Sequence, residues 1–246
     1  MNTLHSEWIK LRSTKSFWWT SALIILIPLI LHVMTMQLDG ETFNSPSMIL
    51  AILVPIILVI VPIQAAMVFT TEYRYKLQEF TYLATPNRTQ VALAKLLLYG
   101  VISVILVTAS FCISLVGINL AVPSEAYRIP YDNPDNLEFI GTSALGTFFL
   151  VTFVQGVAMM LRHTAGVVAL MLSWALALED LLRFIPRIGE YISDWLPFGH
   201  LKSYLGHNTF ISLDREWSET DNILYFMVFA CVFFVLGIIL LEKRDA

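Results

Sequence analysis

From Leu96 to Val122 the chain runs 27 residues without a charged side chain. About 20 apolar residues in a helix cross the hydrocarbon core of a bilayer, where every backbone group must be satisfied within the helix. Five further stretches have the same character. The six predicted spans cover about 17–36, 49–71, 91–122, 139–161, 165–183 and 223–241. Composition agrees: 57% of residues are apolar and 14% charged, where soluble domains carry about 25% charged. The sequence therefore predicts an all-α polytopic membrane protein with six transmembrane helices, organised as a single transmembrane domain over 1–246. It has no internal repeat, and its two cysteines, Cys112 and Cys231, read as packing residues rather than a disulfide framework or a zinc site. A net charge of −4 gives no basic footprint for nucleic acid.

Loop charges set the expected orientation. The N-terminus, the 72–95 segment, the 162–164 turn and the C-terminal tail together hold ten basic residues and five acids; the opposite side holds five basic residues and fourteen acids. The positive-inside rule makes the basic side cytoplasmic, so both termini face the cytoplasm. The first apolar run is about 20 residues, longer than a signal-peptide core, and reads as an uncleaved span.

Three segments outside the spans stand out. In 2–16, Leu4, Trp8 and Leu11 share one helical face while Lys10, Arg12 and Lys15 can reach lipid phosphates, which predicts an N-terminal interfacial helix. In 72–88, Leu77, Phe80 and Leu83 recur at helical spacing before Pro86, and Tyr73, Tyr75 and Tyr82 add the aromatic content of a protein interface. In 184–206, Ile185, Ile188, Ile192 and Trp195 form one apolar stretch and 198–206 another, too apolar to stay in water, so short re-entrant helices are expected between spans five and six. Ser218 and Asp221 have the spacing of a capping box at the start of span six.

Catalytic chemistry is not evident. There is no phosphate-binding Walker loop and no H-E-x-x-H. Gly141-Thr142-Ser143 has no histidine on a facing later span, and the Asp132/Asp135 pair lies in a loop without further ligands. The expectation is no catalytic, cofactor or metal site. Polar residues inside spans remain as candidates. Glu179, Asp180 and Arg183 close span five and are candidates for an outer gate. By depth, Glu179 is expected near the outer interface, pairing with Arg183 at i, i+4, with a tolerable charge. Gln64, Asn119 and Gln155 either bond between helices or line a path, and His32 reads as structural.

Glu7-Trp8-Ile9-Lys10-Leu11-Arg12-Ser13 followed by Lys15-Ser16-Phe17-Trp18-Trp19 resembles the N-terminus of type-2 ABC-exporter permeases, above all the small six-span bacterial ones. Glu72-Tyr73-Arg74, Leu83-Ala84-Thr85-Pro86-Asn87-Arg88, Lys95, Arg162-His163-Thr164-Ala165-Gly166, Glu179 and Leu196-Pro197-Phe198 continue the likeness over nearly the whole chain. Lys76 and Leu77 stand where that family often has glycine and threonine.

The resemblance implies a half-transporter in the bacterial cytoplasmic membrane. It would have a second permease subunit and separate ATPase subunits that carry ATP and Mg, and it would touch membrane lipids. It makes 72–88 the coupling helix, with Glu72, Tyr73, Arg74, Phe80, Tyr82, Leu83, Pro86 and Arg88 as the ATPase-coupling residues. The alternatives are an autonomous secondary transporter or channel, or an intramembrane enzyme. The substrate is not legible.

Overall fold

The computed structural model describes residues 3–38, 46–75, 77–84, 87–121, 128–185, 189, 192–206 and 217–243. These residues form helices α1 (Thr3–Ser13), α2 (Lys15–Leu38), α3 (Pro46–Arg74), α4 (Gln78–Ala84), α5 (Arg88–Ala121), α6 (Pro134–Leu161), α7 (Thr164–Arg183), α8 (Pro197–Tyr204) and α9 (Glu219–Lys243), and among them there is no strand. Six of the helices, α2, α3, α5, α6, α7 and α9, are long and apolar enough to cross a membrane. Of the expected outer stretch, 186–188 and 190–191 lie outside the described residues.

The apolar runs become helices because no water is available to their backbones, and packing then sorts them. α6 is the hub, flanked by α3, α5 and α9. Every residue from Leu150 to Met159 is buried, so this stretch is enclosed on all sides. Phe153 sits at its centre against Trp174, Phe198, Phe226, Phe229 and Phe233, with ring centroids 5.0–6.2 Å apart. These are edge-on and tilted geometries, which aromatic quadrupoles favour. α6 and α9 touch backbone to backbone at Gly156 and Gly237. A Cβ on Gly156 would lie 2.7 Å from Phe233 carbonyl atoms, and one on Gly237 would lie 2.7 Å from Gly156 O. Small residues permit such approach where lipid supplies no hydrophobic drive between helices. The apolar side chains left outside, such as Leu26 and Ile30 on α2 and Val228 and Val235 on α9, form faces suited to lipid.

Two local features set the geometry of the ends. α6 stops at Arg162, in the left-handed region with φ 53°, and α7 starts two residues later, capped by His163 Nδ1, which accepts from Gly166 N at 3.1 Å. The predicted fifth span is not a uniform α-helix: Trp174–Leu178 forms a π-helical turn within it. α9 opens on the predicted capping box, with Ser218 Oγ accepting from Asp221 N and donating to Asp221 Oδ2 at 2.7 Å.

One end of the bundle gathers the segments that the charge pattern groups together. Gln90 Nε2 reaches Thr3 Oγ1, Arg88 Nη1 donates 2.9 Å to Leu241 O, Thr89 Oγ1 bonds Glu242, and the Arg162 guanidinium lies 5.1 Å from the centre of the Tyr73 ring. At the other end Asn119 makes a two-way pair with the Ile129 backbone, both bonds 2.9 Å, and Tyr225 bonds Trp195 O.

Candidate functional site

At the end that gathers α1, the close of α3 and the start of α5, four charges meet. Glu7 and Lys10 lie one turn apart on α1, Glu72 is in the last turn of α3, and Lys95 is about two turns into α5. The Lys95 ammonium bonds Glu7 Oε2 and, at 2.8 Å, Glu72 Oε1. Lys10 bonds Glu7 Oε1 at 2.7 Å and Glu72 Oε1 at 2.8 Å. The Lys95 side chain is 3% exposed and that of Lys10 is 42% exposed, so one lysine is sealed beneath the acids and the other caps them. Two charges cannot be buried cheaply without mutual pairing, and here each acid has two partners. Burial pulls the Lys10 ammonium down, but its bonds to Glu7 and Glu72 and their charges outweigh this and hold it above the usual lysine value.

This differs from the predicted face of α1. Leu11 is buried and Trp8 packs on the core, but Leu4 is exposed and Glu7 takes its place on the inner face. Lys10, expected to reach lipid phosphates, turns to the acids, while Arg12 and Lys15 are exposed. The signal that could have shown the cluster was Lys95 itself, placed inside an apolar helix where an acid must answer it.

Beneath the cluster lies a cavity of about 460 Å³, bounded by α1, the start of α2, the end of α3 and α5, with Leu77 and Thr81 at its edge. Gln64 lines its deeper part. There Gln64 Nε2 donates to Phe17 O and Ser21 Oγ, and Gln64 Oε1 accepts from Tyr99 at 2.9 Å, joining α2, α3 and α5.

The coupling candidates divide into two sets. Glu72 is in the ion cluster. Tyr73 and Tyr82 bond hydroxyl to hydroxyl at 3.0 Å, and Arg88 lies 5.0 Å from the Tyr82 ring centre while also bonding Leu241 O. Burial pushes the Tyr82 phenol above its ordinary value. These side chains fasten α4 to the bundle. Arg74 and Leu83 face outward, Leu83 being 80% exposed. The Phe80 side chain and Pro86 lie outside the described residues.

At the opposite end Glu179 is 1% exposed, unlike the tolerant interfacial position expected of it. Its Oε1 accepts from Trp174 Nε1 at 2.8 Å and from Phe198 N at 2.9 Å, and its Oε2 accepts from Gly199 N at 2.7 Å. Phe198 and Gly199 are in the first turn of α8, whose own N-cap, Leu196, has no side-chain acceptor to offer. A carboxylate from another helix therefore caps α8, where the N-terminal partial charge also favours an anion. Arg183 is buried beside the same turn, its Nη2 lying 2.1 Å from where a Cβ on residue 199 would stand, so a side chain at Gly199 would displace the guanidinium. Asp180 pairs with Lys202 of α8 at 3.2 Å.

The other polar span residues bond within the chain. Asn119 holds the Ile129 backbone, Gln155 Nε2 approaches Lys95 O at 3.4 Å, and His32 Nε2 meets Ile49 O at 3.2 Å. Sequence reasoning missed His200, which is fully buried between Asn222 Oδ1 at 2.6 Å and Asp194 O at 2.9 Å. Among the described residues, no group of three or more histidine, cysteine or acidic residues could hold a metal ion. No protein-family model and no curated protein matches the chain.

Proposed function

We propose that the chain is the membrane-spanning permease subunit of an ATP-driven exporter. It would form the translocation path with a second permease subunit and be driven by separate ATPase subunits. The observation that carries this reading is α4. It is a short helix outside the six long ones, tied to α3 by Tyr73–Tyr82 and to α1 by the bond from Lys10 to Thr81, and it presents Leu83 outward, with Leu77 and Tyr75 exposed just before it. Apolar and aromatic side chains exposed beyond the membrane-spanning helices mark a surface for another protein. A load on α4 passes through Thr81 and Glu72 into the first turns of the bundle. The resemblance to type-2 exporter permeases supports an ATPase as that partner, and the loop charges support a cytoplasmic position for this end.

On this reading α1 lies in the cytoplasmic interface, α8 is a re-entrant piece in the outer leaflet, and Glu179 fastens it. Arg74 and Leu83 are the contact residues of the coupling segment, while Glu72, Tyr73, Tyr82 and Arg88 position it. The test is purification of the tagged full chain from its native membrane. A stoichiometric Walker-motif ATPase, ATP hydrolysis by the complex, and loss of both with Leu83→Asp while six spans remain inserted are the expected results. A chain that purifies without an ATPase, or a Leu83→Asp variant with undiminished association, overturns the proposal and favours an autonomous transporter.

A further inference from the structure

The cavity beneath the ion cluster divides into a polar end and an apolar one. The charges at the polar end cancel, Lys10 and Lys95 against Glu7 and Glu72. Among the described residues this end also keeps hydrogen-bonding capacity of both kinds. Glu7 and Glu72 take two of the Lys95 N–H groups and leave the third, and the Ser16 and Tyr75 hydroxyls have no acceptor. The hydroxyls of Thr14, Thr20 and Thr71 donate to carbonyls one turn earlier, at Lys10, Ser16 and Met67, so their oxygens are still able to accept.

The deeper end offers little of this. Gln64 lies eight residues before Glu72 on α3, about 12 Å along the axis, and its amide is taken up by Phe17 O, Ser21 Oγ and the Tyr99 hydroxyl. Phe17, Met67, Val68 and Leu98 make apolar wall. Trp18 and Trp19, directly after Phe17 in the first turn of α2, are 53% and 74% exposed. Indoles exposed at the end of an apolar span mark the headgroup level of a bilayer. The cavity runs from that level toward the hydrocarbon, in the same polar-to-apolar order as an amphiphile seated in a leaflet.

We propose that this cavity binds a neutral amphiphile with a polyol head, such as glycerol or a sugar joined to a fatty chain. A hydroxyl both donates and accepts, so a polyol meets the Lys95 N–H, the Ser16 and Tyr75 hydroxyls and the threonine oxygens together. An ammonium head only donates and a carboxylate head only accepts. Either one brings a net charge to a partly buried cluster whose own charges already cancel. One fatty chain lies along Phe17, Met67, Val68 and Leu98. At about 460 Å³ the space is within the usual range for small-molecule sites. The site is built within one subunit and does not rest on the exporter reading.

The polyol can belong to a free amphiphile or to a bilayer glycolipid, and the experiment separates the two. The full chain in phosphatidylcholine vesicles is photolabelled with 1-monooctanoylglycerol carrying a diazirine on its acyl chain, and the labelled segments are mapped by mass spectrometry. Label is expected on the segments that hold Phe17, Met67, Val68 and Leu98. Unlabelled 1-monooctanoylglycerol is expected to displace it at about tenfold lower concentration than methyl octanoate, octanoate or octylammonium, the scale of one or two net hydrogen bonds. Thr71→Val is expected to weaken labelling several-fold. Val68→Trp and Leu98→Phe, which fill the apolar part, are expected to abolish or strongly reduce it without changing elution in size-exclusion chromatography. If either filling variant fails to fold, the other serves, and the ranking of probes on the wild-type protein needs neither. Displacement by a diacyl glucolipid in the vesicles assigns the site to a bilayer lipid; displacement by the monoacyl polyol alone assigns it to a free amphiphile. Label confined to other segments, equal displacement by any of the three comparison probes, or labelling unchanged in the filling variants overturns the proposal.

Discussion

Trp174 and Glu179 are five residues apart on α7, and the indole Nε1 donates to the carboxylate at 2.8 Å. In a regular α-helix, side chains at that spacing point roughly 140° apart. The π-helical turn over Trp174–Leu178 inserts the extra residue that brings both to one face, against the first turn of α8. Such turns are rare and cluster at sites where a side chain must be re-aimed. Here the re-aimed group is a carboxylate with three donors.

Glu179→Gln is therefore expected to be costly, contrary to the interfacial reading of the sequence. One amide oxygen replaces two carboxylate oxygens, and the new NH₂ would face a backbone N–H at Phe198 or Gly199. Loss of about 1–3 kcal/mol is expected, the scale of a buried donor left without a partner. Trp174→Phe, which removes one donor and keeps an aromatic ring against Phe153, is expected to cost about 1 kcal/mol. Thermal unfolding of the purified variants checks both. A Glu179→Gln protein as stable as wild type would show that the cap contributes little.

The glycine pair in the α6–α9 crossing makes a steric prediction. Gly156→Ala puts a methyl 2.7 Å from the Phe233 carbonyl, a backbone group that cannot rotate away. The two helices must separate, and the Phe153 aromatic cluster between them opens. The folded yield is expected to fall sharply, with a loss of more than about 2 kcal/mol, within the range of overpacked cores. Gly141→Ala, where nothing lies within 4 Å, is the matched control and is expected to behave as wild type. The comparison is read from the monodisperse fraction in size-exclusion chromatography.

Lys95→Met leaves Glu7 and Glu72 facing each other with only the half-exposed Lys10 between them. Removing one partner of a buried ion pair typically costs about 3–5 kcal/mol. Adding Glu7→Leu is expected to restore much of that loss, because one uncompensated acid is removed as well. If the double variant is no more stable than Lys95→Met, the cluster does not behave as a coupled unit.

The raised Lys10 value has a defined pH signature. A group whose folded value lies above its unfolded one stabilises fully below the unfolded value, here 10.5, and loses that contribution as pH rises through the folded value. Docking of α1 is thus expected to hold through neutral and mildly alkaline pH and to weaken only above about 10.5. Amide exchange in Thr3–Ser13 measures it, and Lys10→Met removes the dependence that this lysine contributes.

Much of the helical framework was legible because apolar runs admit little else in a bilayer. The uncharged run that begins at Leu96 is helical through Ala121, the end of α5, and the capping signal at Ser218 and Asp221 marks the start of α9. The sites were less legible because they are made of contacts distant in sequence. Glu7 and Lys95 are 88 positions apart, and nothing near Glu7 announces that its helix turns an acid inward. Glu179 was singled out by its charge, but its depth was judged from helix rise alone. That argument could not include α8 folding back over it, nor a π turn that changes which way it points.

The cap on α8 also bears on the order of synthesis. Glu179 enters the membrane with α7, and the backbone donors that satisfy it are 19 and 20 positions later in the chain. Until that stretch has emerged and folded back, the span carries an acid that lacks those two backbone donors. The C-terminal half therefore cannot settle helix by helix. α7 becomes a finished transmembrane element only when α8 arrives, and a ribosome stalled between the two would expose an insertion intermediate whose carboxylate lacks two of its three donors.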